Sequence, residues 1–123
     1  MNFSIPPATE TLLAKIRDFM EREVYPLEEE EARGKGFRAL LPRLEEARGR
    51  VREMGLWAPQ VPTEYGGLGL GFMEHALVCE ELGRSPYGMF VFSAQAPDAG
   101  NMEILNQFDP TAPAAVYPPL RKG

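Results

Sequence analysis

Apolar residues recur along this chain at helical intervals, interrupted by glycine and proline. Leu12, Leu13, Ile16, Phe19, Met20 and Val24 form one stripe of an amphipathic helix. Ala8 or Thr9 is its expected start, with Glu10 favourable in the first turn, and Pro26 is predicted to kink or end it near Tyr25. Phe37, Leu40, Leu41, Leu44, Ala47, Val51 and Met54 make a second stripe, with a regular start expected close to Pro42. Gly55 follows it and is predicted to close the helix, because a left-handed φ there is free of steric penalty only for glycine. A third helix is predicted over about Phe72–Leu82, with Phe72, Met73, Ala76, Leu77, Cys79 and Leu82 facing inward and Gly83 and Pro86 as stops.

Two stretches are less regular. From Leu56 to Gly71, proline and glycine forbid a long element. Met89-Phe90-Val91-Phe92-Ser93-Ala94-Gln95-Ala96 suits a buried strand or a buried helix equally by composition; with no partner strand elsewhere, a helix is favoured. Pro97 would kink it, and Asp98 would cap the turns that follow through Leu105. The tail holds Pro110, Pro113, Pro118 and Pro119, leaving room for one short helix around Ala112 to Tyr117. The expected fold is all-α, a bundle of four to six helices in a single domain spanning residues 1–123.

Composition narrows the chemistry. With 44% hydrophobic and 25% charged residues, the 123-residue chain has the balance of a folded domain large enough for one core. Its net charge of −5 argues against nucleic-acid binding, which needs a basic footprint. The charge is uneven: residues 1–53 carry 11 acids and 10 bases, against 7 acids and 3 bases in residues 54–123. The first half therefore reads as helices with solvated, ion-paired faces, and the run Glu28 to Glu31 as a solvated helix end or loop. No run approaches the roughly 20 apolar residues of a membrane span. The N-terminus lacks the basic start and apolar core of a signal peptide, and Cys79 is the sole cysteine; both point to a cytoplasmic protein. One histidine and one cysteine cannot assemble the usual zinc ligand set, so no metal is expected.

The candidate motifs divide accordingly. Gly66, Gly67, Gly69 and Gly71 precede a helix, but the G-x-G-x-x-G spacing fails at Glu74 or Phe72 and no Gly-Lys-Ser/Thr ending exists. Tight turns and close backbone packing are the expected use. His75 is placed opposite the apolar positions, as a solvated histidine, and Cys79 on them, as a core thiol. No Ser-His-Asp or Cys-His arrangement is defensible, so no catalytic residue is assigned. Ser93, Gln95, Asp98 and Asn101 interrupt an otherwise apolar segment, which calls for a polar network or a ligand.

Motif order then carries a resemblance. Val51-Arg52-Glu53-Met54-Gly55-Leu56-Trp57, Val61-Pro62-Thr63-Glu64-Tyr65-Gly66-Gly67-Leu68-Gly69-Leu70 and Cys79-Glu80-Glu81-Leu82-Gly83-Arg84-Ser85 follow one another as in the N-terminal domain of flavin-dependent acyl-CoA dehydrogenases. Ala96-Pro97-Asp98-Ala99-Gly100-Asn101-Met102-Glu103-Ile104-Leu105 resembles the next helix in the branch that includes modules of larger multidomain proteins. The resemblance covers about residue 8 to the C-terminus, where Tyr117 to Gly123 resembles the end of the domain's last helix.

The resemblance implies a complete enzyme with a middle β-domain and a C-terminal helical domain. Those two hold most of the FAD, and the C-terminal domain supplies the glutamate that removes the α-proton of an acyl-CoA. On this basis the chain is expected to be a fragment or truncated member, to bind no FAD alone, and to lack dehydrogenase activity alone. The family's N-terminal helices wall the acyl pocket. This makes Val91, Phe92, Gln95, Ala96 and Ala99 the candidate pocket-facing residues. Two rivals remain at this level. One is a stand-alone helical binding or assembly module, a homo-oligomer or a partner of missing domains through exposed apolar faces. The other is the N-terminal domain of a related flavin oxidase or monooxygenase.

Overall fold

A computed structural model of the protein describes residues 4–108. Over these residues the chain is all-α. The helices are α1 (Pro7–Phe19), α2 (Tyr25–Ala32), α3 (Phe37–Glu53), α4 (Phe72–Leu82), α5 (Gly88–Val91) and α6 (Asp98–Phe108). A π-helical segment, Met20–Val24, joins α1 to α2, and a 3-10 turn, Thr63–Tyr65, lies in the long connection before α4. The short helix expected at Ala112 to Tyr117 lies outside the described residues.

The first stripe works as predicted, but the helical path does not stop at Tyr25. Leu13, Ile16, Phe19, Met20 and Val24 are buried, and Pro26 falls in the first turn of α2, directly after the π-helical segment. The π segment takes up the change of register. Consequently Glu28 to Glu31 lie within α2 itself, and Glu30 pairs with Lys35 and with Arg43 at the front of α3. α3 starts at Phe37, five residues before Pro42, because Leu40 (1% exposed) already anchors its first turn in the core. Its end matches the expectation: Gly55 has φ +70°, its N–H donates to the Arg52 carbonyl, and Leu56 N–H donates to the Val51 carbonyl. This pair of bonds closes the helix as a Schellman motif.

α1 packs on α4, α2 on α3, and α5 against both α3 and α4. The wholly buried side chains include Ile16, Phe19, Leu44, Val61, Leu82 and Phe92. Burying each aliphatic or aromatic side chain of this kind contributes about 1.5–3 kcal/mol.

The inward face of α4 corrects the sequence expectation. Val78, Glu81 and Leu82 are buried, while Phe72 and Met73 are 86% and 67% exposed, and Ala76 is exposed too. Leu82 keeps its expected inward place, and the carboxylate that shares this face is paired. Glu81 turns in toward α1, where the Arg17 guanidinium donates two bonds to its Oε1, at 2.8 and 2.6 Å, and Arg84 approaches Oε2 at 3.3 Å. Two cations make that inward carboxylate tolerable.

Tyr87 adds a buried phenol between α4 and α5, 4% exposed and stacked on Phe37 at 6.3 Å. Burial pushes its pKa up to about 12, and the Glu31 and Glu28 carboxylates add to the shift. An unfolded tyrosine ionises near 10. The folded state therefore holds its proton longer, and this stabilisation, complete below about pH 10, is lost as pH rises from there to about 12. Urea titrations at pH 9 and pH 11 are expected to show a smaller alkaline loss in Tyr87→Phe than in the native chain. Equal losses would remove Tyr87 as the cause.

Candidate functional site

The segment predicted to hold the site does not form one kinked helix. α5 ends after a single turn at Val91, and the backbone bends through Ser93 and a cis Ala96–Pro97 bond before α6 begins at Asp98. A local cap ends α5 and two long-range bonds reinforce it: Ser93, with its left-handed φ, donates its N–H to Phe90 O at 3.1 Å, and Ala94 N–H donates to Met89 O at 2.9 Å. Phe92 O accepts from Ala58 N–H at 3.0 Å, and Phe90 O accepts a second bond from Arg48 Nη1 at 2.7 Å. Ala58 and Ser93, the two non-glycine residues with left-handed φ among the described residues, have φ +49° and +56° and flank this connection. Such conformations persist where surrounding contacts over-determine them, and they cluster at functional sites.

Of the four polar interruptions in the sequence, Ser93 and Asp98 meet each other. Asp98 Oδ2 accepts from Ser93 Oγ at 3.3 Å and lies 3.5 Å from Arg48 Nη2, while Gln60 Nε2 donates to Ser93 O at 3.3 Å. Arg48 is 9% exposed, with its guanidinium carbon 4.8 Å from the Trp57 ring centre and 4.3 Å from that of Phe90. Arg52 covers Trp57 at 3.9 Å, and burial, with Arg48 nearby, lowers its pKa. Sequence reasoning missed Arg48. The available signal was its position one turn from both Leu44 and Val51, a charge set into the apolar stripe of α3.

The five candidate residues separate by depth. Val91 and Phe92 are fully buried, and Phe92 meets Phe19 edge to face at 5.5 Å. Gln95 and Ala99 are half-buried, and Ala96 is exposed. Asn101, one of the polar interruptions, is exposed on α6.

His75 is half-buried rather than solvated, because α4 turns Val78 and Glu81 inward beside it. Its Nε2 lies 3.5 Å from Cys79 Sγ. Burial raises the thiol pKa, which keeps it protonated and a poor nucleophile. The glycine turn serves packing: at Gly67 a Cβ would overlap the Val61 carbonyl, and Gly69 N–H donates to that same oxygen at 2.8 Å.

A separate cleft of about 470 Å³ opens between the loop and α6, lined by Gln60, Pro62, Glu64, Tyr65, Glu103 and Asn106, with Gln107 at its edge. Its two carboxylates suit neither a phosphate nor a pyrophosphate. Among the described residues no group of three or more His, Cys, Asp or Glu could hold a metal ion, and no helix is long and apolar enough to cross a membrane.

Known proteins give the arrangement its relatives. The family model for the acyl-CoA dehydrogenase N-terminal domain matches residues 6–110. Mouse acyl-CoA dehydrogenase family member 10 is 35% identical over 112 residues, covering 85% of this chain and 10% of the mouse protein. Human mitochondrial short-chain specific acyl-CoA dehydrogenase is 31% identical over 80 residues, 65% of this chain and 18% of its own. A solved acyl-CoA dehydrogenase structure from Mycobacterium abscessus superposes with a TM-score of 0.78 at 31% identity, covering 96% of this chain and 32% of its own. The chain thus spans about a third or less of each of these relatives. It belongs to the acyl-CoA dehydrogenase family, in which it corresponds to the N-terminal helical domain.

Proposed function

We propose that this chain is the acyl-facing domain of a flavin-dependent acyl-CoA dehydrogenase, with the segment from Phe90 to Ala99 against the acyl chain. One observation carries the assignment of the segment: a bend with a left-handed serine is fixed by Arg48, Asp98 and Gln60 while Gln95, Ala96 and Ala99 stay accessible. Gln95, Ala96 and Ala99 form the surface offered to the substrate, and Val91 and Phe92 back it from the core. Small side chains at positions 96 and 99 leave room for a hydrocarbon chain, and the half-buried Gln95 amide offers it one polar neighbour.

FAD, when bound in the complete enzyme, supplies the hydride acceptor for α,β-dehydrogenation of the thioester. The described residues do not fit that group by themselves, since the cleft on α6 presents Glu64 and Glu103 where a pyrophosphate would need donors or cations. Asp98, the carboxylate of the bend, is engaged with Ser93 and Arg48, so no proton-abstracting role is assigned to this chain.

Two measurements test the reading. Acyl-CoA carrying a diazirine at the end of its acyl chain, photolysed with the full chain, is expected to label residues 95–99; adducts elsewhere overturn the assignment. Acyl-CoA-dependent dye reduction with added FAD is expected to stay at background, and turnover overturns the claim that the chain alone is inactive. The alternative, a helical module that assembles through its surface, is favoured by one observation: Phe72, Met73, Ile104 and Phe108 are 58–86% exposed. Light scattering separates the two, since a clean monomer opposes the assembly module.

A further inference from the structure

We propose that Arg48 is the positioning residue of the acyl-facing segment, an inference that rests on the acyl reading above. One guanidinium reaches both ends of the segment: Nη1 donates to Phe90 O at 2.7 Å, and Nη2 lies 3.5 Å from Asp98 Oδ2. Residues 91–97 form the arc between these two points. The clamp is itself immobilised, flanked by the Trp57 and Phe90 rings, with Nε 3.5 Å from Glu45. Ser93, inside the arc, donates to the same Asp98 carboxylate, and Gln60 holds the Ser93 carbonyl from the neighbouring loop. The local turn at Ser93 ends α5, and a side chain of α3 ties that turn to the start of α6, although neither Arg48 nor Asp98 is among the residues offered to the substrate.

A planar fork suits this task and an ammonium does not. Guanidinium nitrogens point in fixed, divergent directions and its faces stack on aromatic rings, so one group meets two acceptors and two rings together. Lysine keeps the charge and three donors, but its compact head on a flexible stem has no fixed fork to span these two acceptors and no plane to stack between the rings. Its introduction therefore loosens the arc without emptying the site of charge.

The test uses the full chain in native, Arg48→Lys and Asp98→Asn forms, with amide hydrogen exchange read peptide by peptide. Exchange over residues 90–99 is expected to rise about tenfold in Arg48→Lys and less in Asp98→Asn, with α1 and α3 unchanged. Unchanged exchange at 90–99 overturns the proposal, and so does a uniform rise along the chain, which marks a general stabiliser. Should Arg48→Lys fail to fold, Asp98→Asn carries the same criterion. The diazirine acyl-CoA gives the second readout: adducts confined to residues 95–99 in the native chain are expected to spread beyond them in both variants. Native adducts at Phe72, Met73 or Phe108 would overturn the acyl reading and the positioning role with it, whereas the exchange data judge the clamp separately.

Discussion

Gly88→Ala is expected to destabilise the fold by about 3 kcal/mol or more, a large part of the 5–15 kcal/mol typical of a small domain. Gly88 is buried at the start of α5, where the chain crosses the end of α4. A Cβ there would overlap the Leu82 carbonyl oxygen and stand 2.9 Å from the Leu82 carbonyl carbon and 2.8 Å from Met20 Cε. The methionine tip can swing aside; the backbone carbonyl cannot without parting α4 from α5. Gly49→Ala provides the contrast. Gly49 lies within α3 with nothing within 4 Å of its added Cβ, so alanine there is expected to stabilise by about 0.5–1 kcal/mol. Urea denaturation of the three chains checks both, and equal midpoints for Gly88→Ala and native protein would refute the crowding argument.

Phe92→Ala is the second large effect, expected at about 3–5 kcal/mol from lost burial and the cavity left behind. Phe92 has no exposed surface and meets Phe19 of α1 edge to face. Its carbonyl also ties the bend to Ala58, so the ring and the backbone hold the same junction. Phe92→Leu, which keeps most of the volume, is expected to lose about 1–2 kcal/mol. Calorimetric melting of both variants tests the difference. A Phe92→Ala chain that melts with the native one would mean that the ring belongs to an accessible wall instead of the core.

Much of the helical half was legible because its chemistry is local. In α1 and α3 most buried residues follow the apolar spacing, with Thr9 and Arg48 as polar exceptions, while Phe37, Leu41 and Met54 of the second stripe are exposed; Gly55 ends α3 through bonds that span only a few residues. α4 was misread because it carries apolar residues on both faces. The face that is buried also carries Glu81, whose partner Arg17 lies 64 positions away and is invisible to local spacing. Residues 89–96 were read as a continuous helix because the residue that stops it is a serine: Ser93 takes the left-handed position that glycine usually marks, and Arg48 and Ala58, which hold the neighbouring carbonyls, come from other parts of the chain. Within the candidate site, the polar character of Ser93 and Asp98 was visible in the sequence. Their common partner was not, because an arginine on an apolar stripe declares its inward position without declaring what it will meet.

The Phe19–Phe92 contact also sets a schedule for synthesis. The two rings are 73 positions apart, and Met20 likewise meets the Gly88 region late. At about 5–20 residues per second, the ribosome needs roughly 4–15 seconds to deliver the second ring after the first. For most of that interval, until residues 72–91 are made, α1 has no α4 or α5 to cover its apolar side. The nascent domain is therefore an open amphipathic surface until the α4 and α5 segments follow, and it closes only once residue 92 is available to meet Phe19.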